Sequence, residues 1–362
     1  MSPGREKRGP PRGSLSSSRH LEEEGMKSPS AFLFGISILM AVCVFTQAGL
    51  CIGQKSPLGG RAEEAGEENS APNIHYFAKP AAIGHDDECI YVLDSIDGEI
   101  RAFSKSGSFR YTLGRKGQGP AEFDGPNDFC IFGERIYVSD AGNGRIQVLD
   151  RSGRYLTGFK VPRFPKKVLV LDEDTILVSH LPQGRVGEVD RKEKLVQCFS
   201  RNGRLLWEAV DALAGGDPVF DIMQNRHVLK AYLGGLCFIR MCNDPWIRSF
   251  DRSGRVSRTV QVDKKHEMKT ISLPSRGGKK RKLSGLYWDC DSWGGFLYML
   301  IPEFSEDGDL VAGSRVAVLG AEGNLVRAFD LPAPVSKISV DGESIYAVDT
   351  ESRLRIFIEE RE

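Results

Sequence analysis

The sequence lacks both a net charge and the short motifs of common enzyme families. Its 362 residues contain 49 Lys and Arg against 49 Asp and Glu. Because no net field attracts a polyanion, we expect no nucleic-acid partner. No G-x-S-x-G, P-loop, H-E-x-x-H or EF-hand pattern is present. The sequence therefore assigns no catalytic residue through a known motif.

Cysteine and histidine are scarce after the N-terminal region. Six cysteines follow residue 52, and no two of them form a C-x-x-C pair. A domain of this length builds a core without disulfides, so the sequence favours free thiols. Only four histidines follow residue 78, namely His85, His180, His227 and His266. Since zinc chemistry needs about three convergent ligands, this supply argues against a zinc centre.

The first 72 residues differ in composition from the rest of the chain. Residues 1–30 are rich in Ser, Gly, Pro and charged side chains and predict a disordered tail. Residues 53–72, GQKSPLGGRAEEAGEENSAP, have a similar character and predict a disordered linker. Between them lies the apolar segment 31–52, and the folded domain is expected over residues 73–362.

The apolar segment 31–52, AFLFGISILMAVCVFTQAGLCI, predicts export. No charged residue occurs between Lys27 and Lys55, which is enough chain to span a bilayer as a helix. Met26 and Lys27 followed by an apolar run also resemble the start of a signal peptide, so we expect Met26 to be the true start. A cleaved signal peptide and a retained membrane anchor both remain open, with a periplasmic or extracellular location.

From residue 73 onward one pattern recurs. Alternating apolar runs are joined by tight turns that end in a glycine, at Gly107, Gly153, Gly203, Gly254 and Gly323. Glycine supplies the positive φ that such a hairpin needs. A further strand precedes each hairpin, as in CIYVLD (89–94) and RIYVSD (135–140). The glycine turns are 46, 50, 51 and 69 residues apart, and four strands at this spacing indicate propeller blades rather than a β-helix or an open sandwich.

Five units are complete, and the sixth is divided between the two ends of the domain. Residues 335–358 supply three strands, and NIHYFA (73–78) is the expected fourth. Pairing the first strand with the last blade removes exposed sheet edges. The sequence therefore predicts an all-β fold, a six-bladed β-propeller with four-stranded antiparallel blades whose ring is closed by the N-terminal strand.

Residues 114–159, GRKGQGPAEFDGPNDFCIFGERIYVSDAGNGRIQVLDRSGRYLTGF, resemble the NHL repeat. The shared features are a G-x-G-P-x-x-F segment, the strand IYVSD, the run N-x-R-I-Q-V and a D-x-x-G turn. The segment GRKGQGPAEF is also similar to exported six-bladed β-propeller proteins of bacteria. The resemblance extends over residues 73–362 and implies the fold; related propellers include zinc-dependent lyases and metal-dependent lactonases, but only His180 maps onto a position at the channel mouth.

Four residues occupy one position of the repeat, the end of a blade's second strand: Asp94, Asp140, His180 and Asp349. The turns that follow them share a face with the connections between blades, so we expect these residues to ring the mouth of the central channel. Arg145 and Arg353 are placed to pair with Asp140 and Asp349. For the aspartates the sequence favours a structural role, as acceptors for turn amides, over ligand or metal binding. For His180 both roles remain open.

The basic run Lys279, Lys280, Arg281 and Lys282 lies in the insertion between the fourth and fifth blades. By topology we expect this run on the same face as the channel mouth. It predicts either a solvated loop or a patch for an anionic partner.

Two functions follow from these observations. The sequence favours a monomeric, non-catalytic binding or scaffold module, exported or tethered, for a protein or polysaccharide partner of the cell envelope. Membrane contact is then expected only through residues 31–52, and no cofactor is expected. The alternative is a metal-dependent hydrolase or lyase, lactonase-like or amide-lyase-like, with a divalent metal such as calcium at the channel mouth.

Overall fold

The computed structural model describes residues 59–65, 76–182, 192–215, 217–232, 235–262, 269–274, 280–285, 287–305 and 310–359. All of them belong to one unit of the chain, residues 50–362. The predicted tail 1–30 and apolar segment 31–52 lie outside the described residues. Within the described residues, no helix has the length and apolar character that crossing a membrane requires.

The first strand of the described residues, β1 (Gly59–Glu64), belongs to the sixth blade, and the next four strands form the first blade. Blade one comprises β2 (Pro80–His85), β3 (Cys89–Asp94), β4 (Glu99–Ser104) and β5 (Phe109–Leu113). A short parallel pair, β6 (Arg115–Lys116) and β7 (Glu122–Phe123), follows it. Blade two comprises β8 (Asp128–Phe132), β9 (Arg135–Asp140), β10 (Arg145–Asp150) and β11 (Tyr155–Lys160). Blade three comprises β12 (Lys167–Asp172), β13 (Thr175–Ser179), β14 (Lys194–Phe199) and β15 (Leu205–Asp211).

The second half of the ring repeats this order with insertions. Helix α1 (Pro218–Gln224) precedes blade four, which comprises β16 (His227–Tyr232), β17 (Gly235–Arg240), β18 (Trp246–Phe250) and β19 (Val256–Gln261). The hairpin β20 (Lys269–Pro274) and β21 (Lys280–Gly285) leads to blade five. Blade five comprises β22 (Asp289–Trp293), β23 (Phe296–Leu300), β26 (Arg315–Leu319) and β27 (Leu325–Asp330), with the short pair β24 (Glu303–Phe304) and β25 (Leu310–Val311) inserted. Blade six comprises β28 (Val335–Asp341), β29 (Ser344–Asp349), β30 (Leu354–Glu359) and β1.

The innermost strands of the blades form a closed ring. Each contacts the next in the order β2, β8, β12, β16, β22, β28, and β28 contacts β2 again. Because successive strands of a blade are antiparallel, their connections alternate between two faces. One face carries the connections between blades and the turns from second to third strands, and we call it the loop face. The hairpin face carries the other turns. The predicted six-bladed, four-stranded propeller is confirmed.

The glycine turns from third to fourth strand join neighbouring blades as well as neighbouring strands. All five predicted glycines have positive φ, between 74° and 90°. A Cβ at Gly203 would lie 2.5 Å from Cβ of Phe159, and one at Gly254 would lie 2.5 Å from Cε3 of Trp207. Phe159 and Trp207 belong to the outer strand of the preceding blade. Each of these turns therefore needs glycine for its backbone and for the close approach of the next blade.

The core lies between blades rather than within a single sheet. The second strands β3 and β13 are buried along their whole length, because blades cover both of their faces. One apolar cluster, for example, joins Tyr91 of blade one to Phe129 and Ile136 of blade two. The six described cysteines are free thiols, as predicted.

The strand that closes the ring is not the predicted one. The segment 73–78 was expected to complete blade six, yet its described part contributes only an isolated bridge between Tyr76 and Arg353. The closing strand is β1, inside the segment 53–72 that was expected to be a disordered linker. It pairs antiparallel with β30 through Ala62–Glu64, and parallel with β27 through Gly59–Arg61. GGRAEE shows no alternating apolar pattern because this outer strand buries one apolar side chain, that of Ala62.

Substitution of Ala62 tests the role of β1. The Ala62 side chain is buried against the core of blades five and six, so Ala62→Asp places a charge in an apolar site. We expect the free energy of unfolding to fall by about 1–3 kcal/mol in a chemical denaturation measurement. Glu63→Gln in the same strand changes an exposed residue and is expected to have no comparable effect. Equal stability of the Ala62→Asp protein and the wild type would contradict closure by β1.

Candidate functional site

The carboxylate of Asp94 caps the turn that follows its own strand. The side chain is fully buried. Oδ1 accepts hydrogen bonds from the backbone N–H groups of Ile96 (2.9 Å) and Asp97 (3.1 Å), and Oδ2 accepts one from Lys79 (3.1 Å). These donors belong to the turn and to the chain that enters the blade, so the described bonds of Asp94 stabilise the fold.

Asp140 is the centre of a larger network that fixes the connection between blades one and two. Its carboxylate, fully buried, accepts hydrogen bonds from the backbone N–H of Asp124 (2.8 Å) and from Nδ2 of Asn143. It also accepts bonds from Nε of Arg145 (2.7 Å) and Nε2 of Gln147 (3.1 Å). The predicted pair of Asp140 and Arg145 is thus present.

Arg145 and Gln147 extend this network to the segment GRKGQGPAEF. The guanidinium of Arg145 donates to the carbonyl oxygens of Gly119 (2.7 Å) and Glu122 (3.0 Å). Gln147 donates to the Glu122 carbonyl and accepts from the Ala121 N–H. The side chains that mark this blade in the sequence therefore hold its preceding loop in place.

Asp349 repeats the arrangement in blade six. Oδ1 accepts from the backbone N–H groups of Glu351 (2.9 Å) and Arg353 (2.8 Å). Oδ2 accepts from Nε of Arg353 (3.0 Å) and Nε of Arg355 (2.9 Å). The predicted pair of Asp349 and Arg353 is present, with Arg355 as a second cation that sequence reasoning missed.

His180 is buried as a neutral imidazole. Its Nε2 lies 2.9 Å from a guanidinium nitrogen of Arg163, so Nε2 accepts. Its Nδ1 lies 3.1 Å from the carbonyl oxygen of Leu181, to which it donates. Burial, with a smaller contribution from the Arg163 charge, lowers the pKa of His180 to about 4. The hydrogen-bond partners of His180 are Arg163, in the connection between blades two and three, and Leu181, in its own loop. In contrast to the three aspartates, His180 accepts no hydrogen bond from a backbone N–H group through its side chain in the described residues.

The structure places these four residues one strand away from the central channel. Asp94, Asp140 and Asp349 end second strands and His180 directly follows one, so a neighbouring innermost strand lies between each of them and the channel. None of the four lines the central cavity. Their use as ligand-binding residues remains a prediction.

The basic run lies partly outside the described residues. Lys279 is outside them, while Lys280, Arg281 and Lys282 form the first half of β21. The hairpin β20–β21 lies in the connection between blades four and five, which belongs to the loop face. The described part of the run is therefore strand rather than loop, and Lys282 is exposed. The role of the basic run toward an anionic partner remains a prediction.

The central cavity is lined by all six innermost strands and has a volume of about 240 Å³. Its charged lining was not predicted from the sequence. The wall carries Lys167, Lys230, Lys337, Asp128, Asp289, Asp291 and His85. Because every innermost strand starts at the loop face, residues at the beginning of a strand lie at that end of the channel.

The end of the channel nearer the hairpin face is internally neutralised. Nζ of Lys230 lies 2.7 Å from Oδ1 of Asp291, whose Oδ2 accepts the N–H of Val340 (2.8 Å). Burial lowers the pKa of Lys230, but the charges of Asp291, Cys290 and Asp289 and the hydrogen bond to Asp291 together raise it more, so the pKa lies above the ordinary value. His85 hydrogen-bonds through Nδ1 to Oγ of Ser339 (2.9 Å).

The end of the channel at the loop face contains a contact that occurs twice in the ring. Oδ2 of Asp128 accepts the N–H of Val168 in the next blade, and Oδ2 of Asp289 accepts the N–H of Ile338, each at 3.1 Å. A lysine, Lys167 or Lys337, precedes each of these N–H groups. Blades two and three thus repeat the chemistry of blades five and six on the opposite side of the channel.

A metal site would need several converging acidic, histidine or cysteine side chains. Over the described ranges, no group of three or more such residues is placed to hold a metal ion. The histidines that are described, His85, His180 and His227, lie on different strands or loops with separate hydrogen-bond partners.

Substitution of Asp140 tests its structural role. Asp140→Ala leaves Arg145 and Gln147 without their buried acceptor, so we expect the free energy of unfolding to fall by about 3 kcal/mol. Thermal or chemical denaturation measures the change. Asp87→Ala, at an exposed turn residue, serves as the control and is expected to change stability little. A stable Asp140→Ala protein would indicate that the carboxylate serves a ligand instead.

The buried histidines predict acid lability. Nε2 of His227 accepts from Oγ of Ser179 and its Nδ1 donates to the Asn225 carbonyl, both at 2.7 Å. Burial lowers the pKa of His227 to about 3, just as it lowers that of His180 to about 4. Above pH 6.5 both histidines are neutral in the folded and unfolded chains. As the pH falls from 6.5 toward 4, only the unfolded chain takes up these protons, so folding is progressively destabilised.

We expect the free energy of unfolding to decrease by about 1.4 kcal/mol per pH unit for each histidine in this window. Denaturation curves at pH 7, 6, 5 and 4 measure it. His180→Gln and His227→Gln should each have a shallower dependence than the wild type. Identical slopes for the wild type and both variants would contradict the neutral buried state.

Comparison with known proteins agrees with this fold. The family described as 6-bladed beta-propeller matches residues 76–220. A crystal structure of a protein of Bacteroides fragilis NCTC 9343, described as a candidate exported protein, has a TM-score of 0.52 at 10% identity, covering 83% of this chain and 94% of that one. A streptogramin B lyase structure has a TM-score of 0.50 at 9% identity, covering 85% of this chain and 100% of that one. No curated protein matches the sequence significantly. The chain is a six-bladed β-propeller.

Proposed function

We propose that the protein is a non-catalytic binding propeller, exported or tethered through residues 31–52, that holds a protein or glycan partner of the cell envelope on its loop face. The proposal rests on one observation, the difference between the two faces. The loop face carries the β6–β7 segment, helix α1, the β20–β21 hairpin and the β24–β25 pair. The hairpin face is made of short turns such as 86–88 and 105–108.

Insertions on one face provide a surface that the ring itself does not need. In blade two the turn from the second to the third strand has four residues, 141–144. In blade five the same connection is longer and extends over residues 301–314. Connections placed on a rigid scaffold commonly carry binding function. The loop face is therefore the better candidate for a partner surface.

Exposed apolar side chains also occur on the loop face. Ile96 lies in the turn from second to third strand of blade one, Phe164 in the connection between blades two and three, and Trp246 at the start of the third strand of blade four. Aromatic residues that are exposed beside polar neighbours are common in protein and glycan interfaces. They are candidate contacts of the loop face but do not by themselves distinguish it, since Phe109 and Leu205 are exposed at the hairpin face.

The sequence resemblance supports the same proposal. Residues 114–159 resemble an NHL repeat, and their conspicuous residues Asp140, Arg145 and Gln147 hold a loop-face segment. The apolar segment 31–52 supports export. A metal-dependent lactonase-like or lyase-like activity at the channel is the competing function.

A matched pair of tryptophans tests which face binds. Trp246 lies at the loop face and is 38% exposed, whereas Trp293 ends β22 at the hairpin face and is 39% exposed. We expect Trp246→Ser to reduce recovery of cross-linked partner from the cell envelope at least about fivefold, the loss of one interface anchor. Trp293→Ser should leave recovery unchanged, and circular dichroism should show that both variants are folded.

Equal losses in both variants, or no loss in either, would contradict a loop-face partner site. Chelator-sensitive turnover of a lactone by the calcium-loaded protein would support the competing enzymatic function instead. The cross-linking measurement and the turnover measurement use the same full-length chain.

A further inference from the structure

We propose that the loop-face end of the central channel binds a compact ligand that carries an oxyanion group, a carboxylate or a phosphate, through Lys166, Arg226 and Lys337. This inference extends the proposed binding function, since it assigns a ligand class to the channel that opens on the proposed binding face. It concerns the channel rather than the outer surface of the loops.

The lysines of the channel divide into paired and unpaired groups. Nζ of Lys230 lies 2.7 Å from Asp291, and Nζ of Lys167 lies 3.1 Å from Oδ1 of Asp128. Lys337 occupies the position in blade six that Lys167 has in blade three. In the part of the chain that the structure describes, no carboxylate oxygen lies within 4.0 Å of Nζ of Lys337.

Two further cations at this end are also without an acidic partner. Among the described residues, the Lys166 ammonium donates only to the neutral Oδ1 of Asn127, at 3.4 Å. The guanidinium of Arg226 lies 5.8 Å from the centre of the Trp288 ring and makes no ion pair with a described carboxylate. All three unpaired cations are partly buried rather than fully solvated.

The three cations come from different parts of the ring. Lys166 directly precedes the innermost strand of blade three, and Arg226 directly precedes that of blade four. Lys337 lies on the innermost strand of blade six, which faces blade three across the channel. Lys337 lines the cavity itself, whereas Lys166 and Arg226 stand at its loop-face rim, each directly before an innermost strand. An anion held at this rim is therefore approached by cations from opposite sides of the ring.

The electrostatics of the three cations agree with their placement at one end of the channel. Burial, with smaller contributions from the charges of Lys167, Lys337 and Arg226, lowers the pKa of Lys166 to about 7, although Asp128 offsets a small part of the shift. Burial also lowers the pKa of Lys337, and Asp289 offsets only part of this. Partly buried like charges without a counterion destabilise the fold. An oxyanion at their centre would relieve that repulsion.

The two carboxylates at this end, Asp128 and Asp289, have other partners, and neither forms an ion pair with one of the three unpaired cations. Both oxygens of Asp128 are engaged, one by Lys167 and the other by the N–H of Val168. Oδ2 of Asp289 is engaged by the N–H of Ile338. A cavity of about 240 Å³ holds on the order of eight water molecules, each occupying about 30 Å³. It therefore suits a small anion or one anionic end of a larger ligand.

Titration of the full-length chain with anions tests the inference. The wild type is titrated at pH 6.0 with sodium phosphate and, separately, with sodium succinate, at constant ionic strength in chloride. Calorimetry measures binding, and the melting temperature is recorded in parallel. We expect saturable binding of one of the two anions, with a rise in melting temperature, and the responding anion distinguishes a phosphate ligand from a carboxylate ligand.

Lys337→Met keeps the length of the side chain and removes its charge. We expect at least a tenfold loss of affinity for the responding anion, while the variant melts at or above the wild-type temperature in chloride alone. Lys160→Met, at an exposed lysine of the outer strand β11, removes the same charge elsewhere and should retain the wild-type response. Unchanged affinity in Lys337→Met would overturn the inference, as would no response of the wild type to either anion.

The dependence of binding on pH provides a second measurement. The charged groups that act on Lys166 are Lys167, Lys337, Arg226 and Asp128. Since burial lowers the pKa of Lys166 to about 7, wild-type affinity should fall several-fold between pH 6 and pH 8 once it is corrected for the ionisation of the anion, because phosphate also titrates in this range. In Lys166→Met the affinity should be lower and vary less with pH. Equal pH dependence in both proteins would contradict the role of Lys166.

The outcome can be separated from that of the proposed function. If neither anion binds but Trp246→Ser still loses its cross-linked partner, the channel site is wrong and the loop-face function stands. If an anion binds through Lys337 but neither tryptophan variant affects partner recovery, the channel site stands and the loop-face partner is wrong.

Discussion

The pairing of the first strand with the last blade holds the whole ring together. Antiparallel pairs between β1 and β30 complete the sixth blade, while parallel pairs between β1 and β27 join it to the fifth. The described cysteines are free, so hydrogen bonds and packing between blades carry the closure without disulfides. Six innermost strands can then converge on one channel, and charges from blades far apart in sequence become neighbours.

Much of the fold could be predicted because its signals are local and repeated. A turn such as DRSG, in which Asp150 accepts the N–H groups of Ser152 and Arg154, can be recognised from four consecutive residues wherever it occurs. Five such glycine turns fixed the number of complete blades. The closing strand was missed for the opposite reason. An outer strand covered on one side buries a single residue, Ala62, and leaves no alternating pattern to detect.

The candidate site shows where a single repeat position is a poor guide. Asp94, Asp140 and Asp349 were identified as equivalent residues, and all three make buried structural hydrogen bonds. Asp94 and Asp349 cap their own turns, whereas Asp140 holds the connection between blades one and two. The channel residues were missed because a lysine or aspartate on a short strand looks the same whether it faces solvent or a shared cavity. Alignment of the innermost strands gives one usable signal, since Asp128 and Asp289 both start theirs.

The position of β1 also has a mechanical consequence. Residues upstream of Gly59 join the propeller at the strand that closes it, so any force applied through them acts on the closure before it acts on another blade. The pairs of Gly59–Arg61 with Ala328–Asp330 bear that force first, and those of Ala62–Glu64 with β30 bear it next. Because Gly59–Arg61 pairs parallel to β27 and Ala62–Glu64 pairs antiparallel to β30, the same pull loads two different hydrogen-bond geometries in succession. The strand pairs of β1 that close the ring are thus also the pairs at which tension would open it.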